Sequence, residues 1–399
     1  MNINRRLFAT LIIITLLLIF FRFNQIPKNV SFDEIDFARV AISLNHVSYT
    51  PYLPQATGHV TLYFYIILLS FKIFGISNFA LRLPAALFGF GNVIIFYFLW
   101  RRILKNDRSR DRWAFIFSLV FISLHWYLNF ARFAFEATFL LFLELSAIYW
   151  LLYFLEKKSL APLLLTAIFT ALAFHSYYPG RAFFLLPIFV VGGFSRKSLL
   201  LFLTIFIIFI SPLLFYFTNH PDLRIDQQLY FKNSQLTLNN KLDLLLQNAK
   251  KITAMFHLQG DLNGRHNYPG KPALNLGLGI IFVVGLALAV VHFNESYNRI
   301  FLIYFFLSLL PSFLTYPWEN PNMLRTFTAI PSIIYFLSLV IFSLLKYVSK
   351  SKRTYLSYLL IIFLIGSALY ELRTYFYYQT PTFKNAFEET KDIGLFLKP

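Results

Sequence analysis

The sequence predicts an all-α polytopic membrane protein, and three features of its composition lead to that fold class. Hydrophobic residues fill 58% of the 399 positions and charged residues 14%, and the mean hydropathy is +0.61. A soluble domain carries about 25% charged residues because it must cover its surface with solvated groups. Phenylalanine occurs 50 times, which suits a surface that faces lipid. We therefore expect a single bundle of about eleven transmembrane helices.

The predicted spans follow from the apolar runs. The first run, Leu7 to Phe21, comes directly after Arg5 and Arg6, which is typical of a helix that starts in the cytoplasm. The run Thr61 to Phe74 is short for a span and predicts a re-entrant or interfacial helix. The remaining spans are expected at 83–100, 113–128, 136–155, 161–175, 181–194, 199–217, 273–292, 300–315, 327–346 and 355–371.

The distribution of cations gives the orientation. Short outer loops are poor in Lys and Arg, as the positive-inside rule requires, and the long segment Thr218–Pro272 carries no weight because long loops translocate regardless of charge. The predicted inner loops hold Arg101, Arg102, Lys105, Arg108, Arg110, Arg112, Lys157, Lys158, Arg196, Lys197, Arg299, Lys346, Lys350, Lys352 and Arg353. We therefore assign the net charge of +18 to topology and membrane contact, and we expect no nucleic-acid partner.

The expected organisation is one catalytic bundle, 1–371, with outer loops at 23–82 and 218–272, and a short outer tail at 372–399. Within the second loop, the apolar spacing from Ile225 to His257 predicts an amphipathic helix on the membrane surface. The chain has no cysteine, so it forms neither disulfides nor thiolate metal sites.

The first outer loop contains the best candidates for chemistry. The segment Ser31–Asp36 places three carboxylates in six residues. A structural alternative is equally strong, because Ser31 and Glu34 have capping-box spacing and Asp33 falls in the first helical turn. Asp36 is expected to pair with Arg39 at i,i+3 and to be structural.

The second outer turn supplies another carboxylate, Glu136, at the start of a predicted span. A glutamate at this position is costly to bury unless it is paired or functional. The alternative is an intrahelical pair with Arg132, four residues earlier. Glu144 lies deeper in the same span, where a polar contact between helices is the open interpretation.

Cationic residues recur at the predicted outer ends of the helices. Each one alone is more often an interface residue whose charged head reaches water, but together they favour an anionic lipid headgroup, since the planar guanidinium fits a phosphate. The candidates are Arg82, Arg181, Arg265, Arg325 and Lys271, with His266 in the same segment as Arg265 and Lys271.

Four segments stand out by their order and spacing: Asp33-Glu34, Leu81–Gly89, Ala131–Glu136 and Leu324–Pro331. In both respects they resemble the GT-C glycosyltransferases of the family 39 type, the group of protein O-mannosyltransferases and aminoarabinose transferases. The resemblance runs from the first span to about the tenth.

The resemblance implies a polyprenyl-phosphate sugar donor and transfer to an acceptor hydroxyl outside the cytoplasm, with inversion at the anomeric carbon. It makes Asp33 the catalytic carboxylate, with Glu34 as its neighbour and Glu136 as the acid of the second outer loop. Phosphate charge would be met by Arg82, Arg181, Arg265 or Arg325, and His59, His266 and Lys271 are further candidates. His59-Val60-Thr61-Leu62 replaces the Pro-Pro-Leu-like stretch of some relatives, which leaves the acceptor open among protein, lipid and glycan.

The sequence does not require a cofactor. Oxygen and imidazole groups are available for a divalent metal, but their spacing matches no standard motif, so a metal is left open. Those groups are Asp33, Glu34, His46, His59 and His266.

Two other classes compete with a transferase of the cell membrane. A polysaccharide ligase or polymerase would use a polyprenyl-diphosphate glycan and often works through one large outer loop, such as 218–272. A secondary transporter would have a similar number of spans but would carry acids or broken helices at the membrane midplane, whereas here the acids cluster in the outer loops.

Overall fold

The computed structural model of the protein describes residues 3–55, 58–387 and 393–396. These residues fold mostly into helices, as the composition predicts. The helices of the first half are α1 (Ile3–Phe20), α2 (Phe32–Ser43), α3 (Leu62–Phe74), α4 (Asn78–Ile103), α5 (Arg110–Ser123), α6 (His125–Ala131), α7 (Ala137–Lys157), α8 (Leu160–Phe174), α9 (Gly180–Phe183), α10 (Leu185–Gly192) and α11 (Arg196–Asn219).

The second half begins with two helices in the long loop and continues with the last apolar ones. They are α12 (Leu223–Gln228), α13 (Leu238–His257), α14 (Leu276–Val291), α15 (Ser296–Leu314), α16 (Ile330–Tyr347), α17 (Lys350–Arg373), α18 (Thr380–Ala386) and α19 (Ile393–Phe396). A two-stranded antiparallel hairpin, β1 (Tyr52–Leu53) and β2 (His59–Val60), pairs Tyr52 with Val60.

Length and composition identify the membrane-spanning helices. Among the described residues, six helices are long and apolar enough to cross a membrane, or seven if α5 and α6, which meet at 70°, form one broken span. Shorter apolar helices cover Leu62–Phe74, Leu160–Phe174, Gly180–Gly192 and Leu276–Val291. The helical fold class is therefore confirmed, and the count of eleven spans stays a prediction, as does the orientation.

The core of the bundle forms around α7, which packs against α8 and α4. The buried Glu144 of α7 accepts a hydrogen bond from Tyr304 of α15 at 2.7 Å, so this acid does close a polar contact between helices. Farther along the bundle, α14 and α16 lie close together because Gly285 leaves room for the backbone of Phe336.

The segments 21–61, 132–136 and 220–275 meet at one end of the bundle, where α1 ends and α7 begins. Helix α2 starts with the predicted capping box, in which Ser31 and Glu34 each accept from the other's backbone amide. The predicted Asp36–Arg39 pair also forms, at 3.4 Å. These contacts fix the start of α2 at the edge of the membrane domain.

The long loop contains the expected amphipathic helix as α13, which begins later than predicted because α12 and a 3₁₀ turn, Tyr230–Lys232, precede it. Asn248 on its buried side donates to the carbonyls of Phe313 and Thr315, at 2.9 and 2.6 Å. This side chain anchors α13 to the end of α15.

The predicted tail 372–399 is helical where the structure describes it, with a π-helical turn at Thr374–Gln379 followed by α18 and α19. Residues 388–392 and 397–399 of that tail lie outside the described residues. That the tail forms a unit separate from the bundle stays a prediction.

Candidate active site

A cavity of about 310 Å³ lies among the loops at this end of the bundle. It is smaller than three other cavities in the described part of the chain, but it combines both signs of charge, which acid, base and phosphate chemistry requires. Its ionisable lining groups come from segments far apart in sequence: Asp33, Asp36, His59, Glu136, Tyr177, Arg224, Arg265, His266, Glu319 and Arg325.

Asp33, the predicted catalytic carboxylate, lies on the wall of this cavity. Arg265 donates to its Oδ2 at 2.5 Å, and the two side chains remain 36% and 27% exposed. Arg265 is itself held in place, because its carbonyl accepts from Asn129 at 2.7 Å. The structure thus brings together two predicted site residues that are 232 positions apart.

Glu34, the neighbour of Asp33, points away from the cavity and is fully buried with Arg82. Arg82 donates to both of its carboxylate oxygens, at 2.7 and 2.8 Å, and also to the carbonyls of Pro27 and Asn29. Glu34 accepts in addition from the amide of Ala134 at 3.2 Å. Because neither side chain reaches the cavity, the expected catalytic and phosphate-binding roles give way to a structural one that joins α2, α4 and the turn before α7.

Glu136, the acid of the second predicted outer turn, is 1% exposed and lines the cavity at the start of α7. Its Oε1 lies 3.2 Å from Nδ1 of His59, whereas its Oε2 has no hydrogen-bond partner among the described residues. A buried acceptor without a partner costs about 1–3 kcal/mol. A ligand hydroxyl that enters the cavity would remove this cost.

Arg132 does not form the alternative intrahelical pair with Glu136. It is fully buried and donates to the carbonyls of Leu18, Ile19 and Phe21 at 2.7–2.9 Å. The last carbonyls of a helix have no partner within the helix, and this guanidinium supplies one for the end of α1. Glu136 is consequently left for His59 and the cavity.

Arg224 was not among the predicted site residues, yet it is central to the cavity. Its Nη1 lies 2.8 Å from Nδ1 of His59, and its guanidinium lies 5.3 Å from the ring centres of Tyr177 and Tyr178. In the described part of the chain it forms no ion pair with a carboxylate, and its buried Nε has no hydrogen-bond partner.

The His59 ring lies between Arg224 and Glu136. Nη1 of Arg224 is 2.8 Å from Nδ1 and 3.2 Å from Nε2, and Oε1 of Glu136 is 3.2 Å from Nδ1. A ring nitrogen carries either one proton or one lone pair, so in the neutral ring Nδ1 either donates to Glu136, with Nε2 left to accept from Arg224, or itself accepts from Arg224.

Two further predicted arginines are close by but already paired. Arg325 is 7% exposed and forms an ion pair with Glu319, and both side chains line the cavity. Arg181 pairs with Asp222 beside a small adjoining space that His59 and Arg224 also line. Each keeps a positive group near the cavity, with its charge partly balanced by a carboxylate.

His266 lines the cavity as well and has a fixed ring. Its Nδ1 lies 2.9 Å from Oδ2 of Asp261, and the same oxygen accepts from the amide of Met323 at 3.0 Å. Because a carboxylate accepts at Nδ1, this nitrogen carries the proton in the neutral ring. The loop that holds His266 is closed by Asn267, which donates to the carbonyls of Asp261 and Lys271.

Lys271, the last predicted candidate, lies outside the cavity. Its Nζ is 3.0 Å from Oε2 of Glu371 and 3.1 Å from Nδ1 of His125, and its side chain is 8% exposed. Burial lowers the pKa of Lys271, and the Glu371 carboxylate opposes that shift. This cluster joins the long loop to α6 and α17, so Lys271 has a structural position.

A metal site built from three protein ligands is not present within residues 3–55, 58–387 and 393–396. Of the groups named as metal ligands, Glu34 is bound to Arg82, and His46 is not part of the cavity lining. The question of a metal therefore stays open.

Sequence reasoning did not identify Arg224 or Tyr177 as cavity residues. Arg224 was one of seven cations in a long loop whose charge carries no topological information. The only local signal is Asp222, whose carboxylate caps α12, the short helix that carries Arg224.

Comparisons with known proteins agree with this architecture. Residues 59–216 match the family model described as dolichyl-phosphate-mannose-protein mannosyltransferase. The structure of ArnT from Cupriavidus metallidurans bound to undecaprenyl phosphate superimposes with a TM-score of 0.58 and 11% identity, over 95% of this chain and 76% of that one. The chain has the GT-C glycosyltransferase fold.

Other solved structures extend the GT-C likeness. The apo oligosaccharyltransferase of Archaeoglobus fulgidus superimposes with a TM-score of 0.53 and 12% identity, over 98% of this chain and 56% of that chain. No curated protein sequence matches the chain. The predicted resemblance to GT-C enzymes is thereby confirmed, and the family match and the fold together support a GT-C membrane glycosyltransferase.

Proposed function

We propose that the chain transfers a sugar from a polyprenyl-phosphate donor to an acceptor hydroxyl outside the cytoplasm, with inversion at the anomeric carbon. The observation that carries the proposal is the meeting of three groups in one cavity: the partly exposed carboxylate of Asp33, the buried carboxylate of Glu136 and the arginine Arg224. The family match and the ArnT likeness, a protein whose structure contains undecaprenyl phosphate, support the donor class.

Arg224 is our candidate for the ligand of the donor phosphate. Arg265, Arg325 and Arg181 are each bound to a carboxylate, so a phosphate would have to compete with that partner. Arg224 has no such competitor among the described residues, and its planar fork can bind two phosphate oxygens at once. As the bond to the anomeric carbon breaks, negative charge grows on the phosphate, and a fixed cation stabilises it.

Asp33 is our candidate for the group that orients the acceptor. The acceptor oxygen forms a bond to the anomeric carbon, the bond from that carbon to the phosphate oxygen breaks, and the polyprenyl phosphate leaves with the electron pair. The hydroxyl proton passes to Asp33, and such base catalysis contributes about 10²–10⁴-fold. Arg265 holds Asp33 at 2.5 Å, so accurate placement of the hydroxyl adds to the effect of proton removal.

Glu136 is suited to hold the sugar. Its Oε2 is buried at the cavity and without a partner in the described structure, so it can accept a hydrogen bond from a sugar hydroxyl. His59 holds the other oxygen. We therefore place the sugar between Glu136 and Arg224, with its anomeric carbon towards Asp33.

A ligase that uses a polyprenyl-diphosphate glycan is the second candidate. The observation in its favour is that the long loop 218–272 supplies Arg224, Arg265 and His266 to the cavity. The two candidates differ in the donor, since a ligase would consume a long glycan on a diphosphate and the proposed transferase a single sugar on a monophosphate.

The test measures sugar release from labelled polyprenyl-phosphate monosaccharides by the purified protein in membranes, for the wild type, Asp33→Asn and Arg224→Gln. We expect both variants to lose about 100-fold or more in kcat/KM. Matched controls are Asp243→Asn and Lys232→Gln in the long loop that also holds Arg224; their side chains are exposed and outside the cavity.

Three results would count against the proposal. Consumption of diphosphate-linked glycans alone would favour the ligase, and no consumption of any lipid-linked sugar would reject both candidates. Equal activity of wild type and Asp33→Asn would keep the reaction but remove Asp33 from the mechanism.

A further inference from the structure

A groove of about 680 Å³ lies at the opposite end of α7 from the candidate active site, where α7, α10 and α15 meet. Leu155 of α7 lines the groove, whereas Glu136 at the start of the same helix lines the active-site cavity. Nineteen residues separate them, which corresponds to about 28 Å along an α-helix at 1.5 Å per residue. The groove therefore lies at the other membrane face.

The lining of this groove is mainly apolar. Aliphatic and aromatic side chains form its walls, with Phe189 and Phe194 at 61% and 40% exposure. Gly193, which has no side chain, also lines the groove next to Phe194. A channel of this kind between helices, open to the surroundings, fits a hydrocarbon chain better than water.

One cation lines the groove, and a second lies over the ring of one of its wall residues. Arg299 at the start of α15 lines it, is exposed and forms no ion pair in the described part of the chain. Lys158 extends over the ring of Phe194, with Nζ at 5.3 Å from the ring centre. An apolar groove can hold the acyl chain of a phospholipid, and the nearby cations can bind its phosphate.

Neighbouring carboxylates form no ion pair with these two cations in the described part of the chain. Glu156 is bound by Arg102 and Lys105, at 2.8 and 3.3 Å. Glu295, four residues before Arg299, accepts a hydrogen bond from Asn298 at 3.4 Å. Further cations lie close in sequence to the groove residues. Lys157 directly precedes Lys158, and Arg196 and Lys197 come shortly after Phe194.

We propose that this groove binds one anionic phospholipid, with an acyl chain along Phe189 and Ile303 and its phosphate between Lys158 and Arg299. The bound lipid joins α10 to α7 and α15 and so stabilises the bundle at the face away from the active site. This inference does not depend on the proposed transferase activity, because it rests on a different part of the molecule.

The test uses the purified, delipidated full chain in detergent. Phosphatidylglycerol and phosphatidylcholine with identical acyl chains are titrated separately, bound lipid is counted by native mass spectrometry, and the thermal midpoint is followed in parallel. Glycerol 3-phosphate serves as a probe that has the phosphate without the chains. Each cation near an anionic lipid contributes about fivefold in affinity, so we expect phosphatidylglycerol to bind at least about tenfold more tightly than phosphatidylcholine.

Two variants separate the two halves of the site. Lys158→Asn with Arg299→Gln should abolish the preference for the anionic lipid, and asparagine suits the left-handed conformation of position 158 (φ +53°). Ile303→Trp fills the groove and should reduce binding of both lipids. The matched control, Arg108→Gln with Lys352→Gln, removes the same charge from exposed positions on the same predicted face and should change neither.

The inference fails if the control variant loses the preference as fully as the groove variant, since general surface charge would then explain binding. It also fails if phosphatidylcholine binds as tightly as phosphatidylglycerol, or if Ile303→Trp retains both lipids. Binding of glycerol 3-phosphate with the same affinity as the lipid would identify a phosphate site without a role for the groove.

Discussion

Two adjacent acids, Asp33 and Glu34, are expected to respond in opposite ways to removal of their charge. Glu34 is fully buried and holds Arg82 through two short hydrogen bonds, whereas Asp33 is about one-third exposed at the cavity. Glu34→Gln should therefore reduce stability with a smaller effect on the folded enzyme's rate. Asp33→Asn should do the reverse.

The expected loss of stability for each variant follows from how deeply its ion pair is buried. Removing one partner of a buried ion pair costs about 3–5 kcal/mol, because the other charge is left buried without compensation. The glutamine keeps one carbonyl acceptor for Arg82, so we expect about 3 kcal/mol for Glu34→Gln. The partly exposed Asp33–Arg265 pair is worth at most about 1 kcal/mol in stability.

The assay compares half-lives at a fixed temperature in detergent, because membrane proteins often unfold irreversibly and their operational stability is then a rate. Specific activity is measured on the folded, monodisperse fraction only. A third protein, Glu34→Gln with Arg82→Met, removes both charges. It should lose less stability than the two single changes added together, since no buried charge remains alone.

The reasoning is refuted if Glu34→Gln is as long-lived as the wild type and inactive, because Glu34 would then act in the reaction. It is refuted equally if Asp33→Asn shortens the half-life as much as Glu34→Gln does.

Three other predictions concern residues around the same cavity. Glu136→Gln, which keeps the size of the side chain but removes the charge facing the cavity, should lower kcat/KM about 10–100-fold and weaken donor binding, as measured with labelled donor; unchanged kinetics would exclude contact with substrate. Arg132→Gln removes three hydrogen bonds to the end of α1 and should shorten the half-life markedly, and an unaltered half-life would contradict its role in capping α1. Burial raises the pKa of Asp36, against the opposing effect of Arg39, so the folded state holds this proton more tightly than the unfolded chain does. The stability from this group is therefore full below the unfolded pKa and falls as pH rises through the raised folded pKa; Asp36→Asn should flatten that slope in a pH series of unfolding midpoints, and an unchanged slope would assign it to other groups.

Much of the candidate site could be named from the sequence because acids and cations are costly near a membrane. Asp33, Glu136, Arg265, Arg325, His59 and His266 all line one cavity, and each was a candidate either as an ionisable residue near a predicted helix end or through the family resemblance. Glu34 and Arg82 were candidates on the same grounds, but the structure shows that they form a buried ion pair with each other. The sequence contains no feature that separates an acid facing a cavity from an acid facing an arginine.

Sequence spacing also did not predict the hydrogen-bond partners of Arg132 and Glu136. The spacing of Arg132 and Glu136 favoured an intrahelical pair, but α6 ends at Ala131 and α7 begins at Ala137. Because no continuous helix joins the two residues, the i,i+4 rule does not apply. Arg132 turns to α1 and Glu136 to His59, and both partners are more than 70 positions away.

The sequence by itself determined the membrane environment, the helical class and the places where the apolar runs stop, because these depend on the free energy of transferring each segment into lipid. It also determined the capping box of α2 and the Asp36–Arg39 pair, whose partners are within one helical turn. Only the tertiary structure decided which ionisable groups face the cavity and which are buried in pairs. That decision depends on contacts such as Arg265–Asp33 and Arg224–His59, between residues 232 and 165 positions apart, and their geometry exists only once the helices have packed.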